Sequence, residues 1–131
     1  MFQTNSLAAI GRLLLAILFI FSGFGKIIAP EATQGYIASV GLPLPLLSYL
    51  LAVVVELGGG ILLAVGYRTR IVSLAIAAFT LATALVFHTD FADQNQMIHF
   101  LKNIAIAGGL LQVAAFGAGA LSLDDRRRRI A

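Results

Sequence analysis

The stretch that decides the fold runs from Leu51 to Arg70 and reads LAVVVELGGGILLAVGYRTR. It is a long apolar segment with one carboxylate, Glu56, near its middle, three consecutive glycines soon after it and a basic turn at its end. An apolar segment of this length predicts a helix that crosses a membrane. A carboxylate inside such a helix is costly and needs a partner or a water-filled cavity, so the other apolar segments are expected to supply one.

The whole chain has the composition of a membrane protein. Of its 131 residues, 60% are hydrophobic and only 11% are charged, with a mean hydropathy of +0.95, whereas a soluble domain is about one quarter charged. We therefore predict a single transmembrane domain over residues 1–131. The chain contains no cysteine, which excludes dithiol chemistry and an iron–sulfur cluster held by thiolates. Any redox role would require a bound cofactor or a partner protein.

Apolar segments long enough to cross a bilayer occur at residues 7–29, 46–65, 71–87 and 100–116. They predict an all-α fold, an integral membrane, antiparallel four-helix transmembrane bundle. Residues 30–45 form a connection rich in proline and glycine, in which residues 33–40 can form a short helix at the membrane interface. A basic tail follows at residues 122–131.

The distribution of Lys and Arg predicts the orientation of the bundle. With the N-terminus inside, seven basic residues lie on the cytoplasmic side and two, Lys26 and Lys102, lie on the other. Because cytoplasmic loops are enriched in basic residues, we predict that both termini are cytoplasmic and that both long connections face the periplasm. The four consecutive arginines at 126–129 closely follow an apolar helix, so we interpret them as an anchor near anionic lipid headgroups rather than a nucleic-acid site.

Polar side chains at helical spacing mark a candidate site around Glu56. Residues three and four positions apart lie on one face of a helix, which groups Ser22 with Lys26 in the first span, and Lys102 and Asn103 with His99 in the fourth. If these faces converge, they form a polar pocket in the periplasmic half of the bundle. Lys102 is then the first choice of ion-pair partner for Glu56, and Lys26 is the second. Such a pocket could hold a polar headgroup, a quinone carbonyl or a small anion.

Each of these residues also has a purely structural interpretation. Glu56 can be half of a buried ion pair, or a protonated carboxyl group, that serves helix packing alone, and this interpretation is slightly preferred. Lysines near helix ends are often interfacial anchors. His88 and His99 flank a loop, and their spacing from the nearby aspartates does not match a metal site, so we predict none.

Small residues predict where the helices pack most closely. Gly59 and Gly60 follow Glu56 in the second span, and Gly108 and Gly109 lie in the fourth. Helices in lipid associate through such small residues, because these let two backbones approach each other. We therefore interpret the four glycines as helix-packing positions.

Several short motifs, in this order, resemble the DoxX family of small four-helix bacterial inner-membrane proteins. They are Ser22-Gly23-Phe24-Gly25-Lys26, Glu56-Leu57-Gly58-Gly59-Gly60, Gly66-Tyr67-Arg68-Thr69-Arg70, Lys102-Asn103 leading to Gly108-Gly109, and Gly117-x-Gly119-x-x-Ser122-x-Asp124. The loop Phe87-His88-Thr89-Asp90-Phe91 resembles the small enterobacterial inner-membrane branch of that family. The family is named after a subunit associated with a thiosulfate:quinone oxidoreductase, and some members are linked to redox or oxidative-stress complexes.

The resemblance implies a multi-pass protein of the bacterial inner membrane. The first hypothesis is an accessory or structural subunit, rather than a stand-alone enzyme, of a redox or stress-response system with other membrane or peripheral redox proteins as partners. The first alternative is a small quinone-linked membrane oxidoreductase, with quinone as its only cofactor. The second is a transporter or channel for a small solute, with Glu56 as a proton-coupled gate. The resemblance leaves the oligomeric state open.

Overall fold

The computed structural model describes residues 2–131, of which no residue lies in a β-strand; helix accounts for 82% of the chain. The helices follow one another as α1 (Phe2–Ile27), α2 (Pro30–Ser39), α3 (Pro45–Val53), a π-helical turn (Val54–Gly58), α4 (Gly59–Val65), α5 (Thr69–Phe87), α6 (Gln94–Phe116) and α7 (Leu123–Ile130). Because the helix axis continues from α3 through the π-helical turn into α4, these three elements form one span.

Within residues 2–131, four helices are long and apolar enough to cross a membrane: Gln3–Ile27, Pro45–Val65, Thr69–Phe87 and Gln94–Phe116. The predicted all-α membrane bundle with four spans is therefore confirmed. We refer to its two ends by what lies there. The α2 end carries residues 28–44 and 88–93, and the tail end carries residues 66–68 and 117–131.

The helices extend beyond the apolar segments that reveal them. The fourth helix begins at Gln94 rather than at residue 100, because Asp93 caps it: the side chain of Asp93 accepts a hydrogen bond from the Asn95 N–H at 2.9 Å. The short interfacial helix begins at Pro30, a residue suited to the first turn of a helix. Apolar runs thus locate the membrane-crossing part of each helix, while capping residues set its end.

The core is small and lies where the four spans cross. Its buried members are Ala16, Phe19, Leu63, Ile76, Ala77, Ala107 and Leu110. Many large apolar side chains, such as Leu14 and Phe21, are instead exposed on the outside of the bundle. That distribution suits a protein whose surroundings are lipid, where burial of apolar groups does not by itself drive helix association.

Three of the four predicted packing glycines lie against a neighbouring helix. A Cβ atom built on Gly60 would lie 2.8 Å from the Ile20 side chain and 3.3 Å from the Ala16 carbonyl oxygen. One on Gly59 would lie 3.1 Å from Ile76, and one on Gly109 would make an ordinary 3.7 Å contact with Leu15. A Cβ on Gly108 would meet nothing within 4 Å. Gly60 is therefore the point of closest approach among these four.

We expect Gly60→Ala to destabilise the bundle by about 1–3 kcal/mol, because the added methyl group overpacks the contact between α1 and α4. Gly108→Ala is the matched control: the same change, also within a span, meets open space and should be neutral or slightly stabilising. Unfolding by sodium dodecyl sulfate in mixed micelles, followed by circular dichroism, measures both. Equal effects of the two substitutions would contradict the packing role of Gly60.

A polar clamp closes the tail end of the bundle. Arg12 is only 3% exposed, and its guanidinium donates to the carbonyl oxygens of Leu63 (3.2 Å), Ala64 (3.2 Å) and Leu121 (2.6 Å). The first two carbonyls belong to the last turn of α4, where a positive charge is favourable, and the Leu63 carbonyl also accepts from the Gly66 N–H. Arg12 therefore ties α1, α4 and the segment after α6 together.

The start of α5 is capped by a residue far away in the sequence. Asp124 accepts hydrogen bonds from the backbone N–H groups of Arg68 (2.7 Å) and Thr69 (2.9 Å), while its own N–H donates to the carbonyl oxygen of Gly66 (2.9 Å). Gly66 has a φ of 70°, a left-handed conformation that favours glycine and ends α4. The turn between the second and third spans and the start of the tail therefore form one unit.

Burial opposes ionisation of Asp124 most strongly, but the hydrogen bonds from Thr69 and Arg68 and the nearby charge of Arg127 together outweigh it, so the pKa of Asp124 is lowered. A carboxylate with a lowered pKa in the folded protein stabilises the fold fully above its ordinary pKa of 3.8, and loses that contribution as the pH falls through the lowered value. The cap should therefore be intact at neutral pH and fail only in acid.

We expect Asp124→Ala to cost about 1 kcal/mol at neutral pH, because two N–H groups at the start of α5 lose their acceptor. Asp125→Ala, the neighbouring control, removes only ion pairs to the exposed side chains of Arg128 and Arg129 and should cost less. Unfolding measurements at pH 7 and in acid test this: the difference between Asp124→Ala and the unsubstituted protein should shrink in acid. A difference that grows in acid would exclude the cap.

Candidate functional site

The α2 half of the bundle contains a cavity of about 660 Å³. Its walls come from α1, the second span, α5 and α6, and α2 lies across it with Thr33, Tyr36 and the buried Ile37. The ring of Tyr36 stacks on Phe87 at the end of α5, with ring centroids 5.3 Å apart. Cavities that hold small molecules commonly have this volume, with mostly apolar walls and a few polar groups.

Glu56 lies on this cavity within the π-helical turn of the second span. The turn contains one residue more than an α-helical turn, so the Gly59 N–H reaches back to the carbonyl oxygen of Val54 as well as to nearer carbonyls. Glu56 is 6% exposed. Single π-helical turns inside α-helices occur frequently at functional sites.

Lys26 and Ser22 hold the Glu56 carboxylate. Ser22 Oγ donates to Glu56 Oε1 at 3.0 Å, Lys26 Nζ donates to Ser22 Oγ at 3.0 Å, and Lys26 Nζ lies 2.8 Å from Glu56 Oε2. The last contact is an ion pair, and it places the ammonium group of Lys26 directly against the buried Oε2. The charge of the Glu56 carboxylate is therefore compensated inside the bundle by Lys26.

Two further contacts position this triad. A Cβ atom at Gly23 would lie 2.7 Å from the backbone nitrogen of Leu57, so the glycine lets α1 approach the π-helical turn closely. The hydroxyl group of Tyr49 donates to the Lys26 carbonyl oxygen at 3.0 Å and joins α3 to the end of α1. Tyr49 was not singled out from the sequence, where nothing but its place in the second span marks it.

The prediction that Lys102 pairs with Glu56 is wrong. Lys26, the second choice, forms the ion pair. Lys102 is exposed on α6. The reason is the rotation of α6 about its own axis: Asn103 turns towards α5 and the cavity, and neighbouring residues on a helix point about 100° apart. Turning Asn103 inward therefore turns Lys102 away from Glu56.

Of the other predicted polar residues, Asn103 lines the cavity and His99 does not. Asn103 donates to the Thr80 carbonyl oxygen and to the Thr83 hydroxyl, both at 3.2 Å, and lines the cavity. His99 stacks on His88, with ring centroids 5.1 Å apart, and of the two only His88 lines the cavity. The structure thus brings Ser22, Lys26 and Glu56 into contact and places Asn103 on the same cavity.

The environment of His88 favours the uncharged form of its imidazole. Burial is the main cause that lowers the pKa of His88, and the nearby charges of His99 and Lys102 lower it further. At neutral pH, His88 therefore offers an uncharged imidazole beside α2. With Tyr36 and Phe87 close by, this part of the cavity is aromatic and polar rather than charged.

These features define a small integral membrane protein with four spans and a cavity on which a buried glutamate pairs with a partly exposed lysine. The family model described as DoxX matches residues 7–89, more than half of the chain, and the chain belongs to the DoxX family. The match covers the first three spans and includes Ser22, Lys26 and Glu56.

Two relatives from Escherichia coli (strain K12) support this assignment. The chain is 42% identical to Inner membrane protein YqjF over 115 residues, which cover 88% of this chain and 87% of the relative. It is 39% identical to Inner membrane protein YphA over 125 residues, which cover 92% of this chain and 89% of the relative. Their names, together with the four spans, confirm the predicted localisation in a bacterial inner membrane.

A more distant similarity reaches a eukaryotic protein. The chain is 28% identical to ER-derived vesicles protein ERV29 of Saccharomyces cerevisiae over 111 residues, which cover 75% of this chain but only 36% of that protein. No solved structure matches the chain.

Proposed function

We propose that this protein is an accessory subunit of a membrane redox or stress-response system and that it holds a small amphiphilic molecule of the quinone class in the cavity beside Glu56. The observation that carries the proposal is the position of the Lys26–Glu56 pair on an otherwise largely apolar cavity of about 660 Å³. Such a molecule has an apolar body and a polar ring. Its apolar body would pack against the cavity walls, and its polar ring would lie beside the Lys26–Glu56 pair.

The residues present fit both ends of such a molecule. Lys26 Nζ has three N–H donors, of which two face Ser22 Oγ and Glu56 Oε2, so the third can serve a ring carbonyl. The Glu56 carboxylate, which lines the cavity, can accept a hydrogen bond from a ring hydroxyl. Apolar side chains such as Phe19, Leu51 and Ile106 line the rest of the cavity. When bound, a quinone would supply the electron-accepting chemistry, while these residues bind and orient it.

The chain's own side chains favour an accessory role over stand-alone catalysis. The sequence has no cysteine for dithiol chemistry, and the polar groups on the cavity serve to bind and orient rather than to accept electrons. A partner would then deliver or remove the electrons. The contribution of this protein is a shaped, largely apolar cavity in the membrane.

The test is the content of the purified protein. Protein extracted from membranes in a mild detergent should retain a stoichiometric molecule of the quinone class, detected by solvent extraction and mass spectrometry. Glu56→Gln should lower retention at least about tenfold, since it removes a charge-assisted contact. Glu31→Gln, the same change on the exposed face of α2, is the control and should retain the ligand.

Two results would contradict the proposal. Unsubstituted protein that never carries such a molecule, even after addition of excess quinone, excludes the binding role. Protein that alone reduces an acceptor dye in a quinone-dependent manner is an enzyme rather than an accessory subunit. Cross-linking in native membranes, followed by mass spectrometry, identifies the partner that the accessory role requires.

A further inference from the structure

The positive charges at the tail end are not equivalent. Asp125 forms ion pairs with Arg128 (2.8 Å) and Arg129 (2.7 Å), which neutralise part of the run of four arginines. Asp124 is occupied by the backbone N–H groups at the start of α5. Arg68 and Arg127 form no ion pair with a carboxylate within residues 2–131. The charge of Arg127 acts on the nearby Asp124 carboxylate, but within the described residues no carboxylate forms an ion pair with the guanidinium group of either arginine.

Tyr67 gathers these two arginines in one place. The guanidinium carbon of Arg127 lies 5.2 Å from the centroid of the Tyr67 ring and that of Arg68 lies 5.9 Å from it. Both distances are typical of a cation above an aromatic face, a contact that orients the guanidinium group. The contact with Arg68 is the larger cause, and the charge of Arg127 the second cause, of a lowered pKa of the Tyr67 phenol. Two guanidinium groups from different elements are thus oriented around one ring.

The two arginines line a second cavity, of about 880 Å³, between the start of α5 and α7. Its lining combines further cations, Arg70 and Arg128, with the apolar side chains of Phe116 and Ile130. The carboxylates of Asp124 and Asp125 also line it, and they are held by the backbone N–H groups at the start of α5 and by Arg128 and Arg129. Phe116 and Ile130 are 79% and 76% exposed, respectively. Phe116 is also the last residue of the fourth span, so the cavity lies at the level where the membrane interface begins.

We propose that this second cavity binds the phosphate group of an anionic phospholipid, with Arg68 and Arg127 as its ligands. Arginine recognises phosphate through paired N–H donors, and two arginines from separate elements can hold one phosphate from two sides. Phe116 then lies beside the first carbons of an acyl chain. The exposed Phe116 favours a lipid over a free inorganic anion, which would not use an apolar side chain. Its place at the end of the fourth span, where the membrane interface begins, favours a lipid over a nucleic acid.

The proposal changes the interpretation of the basic tail. A general anchor would use all four arginines of the tail alike, through their charge alone. The structure instead assigns the lipid contact to Arg127, and to Arg68 from the turn between the second and third spans. Arg128 and Arg129 serve their ion pairs with Asp125.

The experiment is native mass spectrometry of the full-length protein in a neutral detergent, titrated with phosphatidylglycerol. Arg127→Gln and Arg68→Gln should each lower the affinity about fivefold, the effect of one basic residue at a membrane surface. Arg129→Gln is the matched control, because it removes the same charge from the same helix as Arg127→Gln but from a paired residue. We expect it to retain most of the affinity. Thermal unfolding of each variant shows that the fold is intact.

Three results would overturn the proposal. Equal loss of affinity in Arg129→Gln and Arg127→Gln would show a general effect of charge. Equal affinity for phosphatidylcholine would show that the anionic headgroup is not recognised. Displacement of the lipid by inorganic phosphate at similar concentrations would show a site for a free anion. Neither these titrations nor their outcome depends on what occupies the cavity at Glu56.

Discussion

Replacing Arg12 with methionine is expected to destabilise the protein by about 2–3 kcal/mol, one of the largest effects of a single substitution in this chain. Arg12 is buried and donates to the carbonyl oxygens of Leu63, Ala64 and Leu121. Methionine fills a similar volume but donates to none of these carbonyls, of which Leu63 keeps the Gly66 N–H as a donor, and a lost hydrogen bond to a charged group costs about 1.5–3 kcal/mol. Unfolding by sodium dodecyl sulfate in mixed micelles measures the loss.

Two controls separate the geometry of Arg12 from its charge. Arg12→Lys keeps the charge but not the planar fork of donors, so it should recover only part of the loss. Arg129→Met removes a side chain that is 73% exposed and should change the free energy of unfolding by less than about 0.5 kcal/mol. If Arg12→Lys were as stable as the unsubstituted protein, a point charge would suffice and the three-way clamp would be wrong.

The fold was predictable because hydropathy alone decides it. In a membrane, each long apolar segment must form a helix that satisfies its own backbone hydrogen bonds, so four such segments leave little choice of architecture. The ends of the helices were less predictable, as at α6, where Asp93 begins the helix among polar residues. The π-helical turn at Val54–Gly58 gave no signal, since it changes hydrogen-bond spacing by one residue without changing hydropathy.

The candidate site was predictable in its parts but not in its pairing. Spacing along one helix groups residues on a face, but it does not fix how far that helix rotates towards its neighbours. Asn103 and Lys102 are adjacent, and the choice between them depends on packing against α5. The capping of α5 by Asp124 joins residues 55 positions apart, which no local pattern reveals. Long-range polar contacts therefore required the structure.

We expect Lys26→Met to destabilise the protein by about 3 kcal/mol, because the substitution leaves the buried Glu56 carboxylate without its cation. This is the second large effect that we expect. The matched control is Lys102→Met, the same change at the exposed lysine that the sequence favoured as partner. It should alter the free energy of unfolding by less than about 0.5 kcal/mol. A larger loss of stability in Lys102→Met than in Lys26→Met would show that Lys102 is the partner of Glu56. The candidate site described above would then be wrong.

The double variant Lys26→Met with Glu56→Gln decides what the pair contributes. A buried ion pair replaced on both sides is often neutral for stability, because the desolvation cost disappears along with the attraction. We therefore expect the double variant to be more stable than Lys26→Met alone and close to the unsubstituted protein. If it also keeps its quinone-class ligand, the charges of Lys26 and Glu56 are not needed for binding, and the binding role proposed for the pair is wrong. If stability returns while ligand retention does not, the charges of Lys26 and Glu56 are retained for binding rather than for the fold.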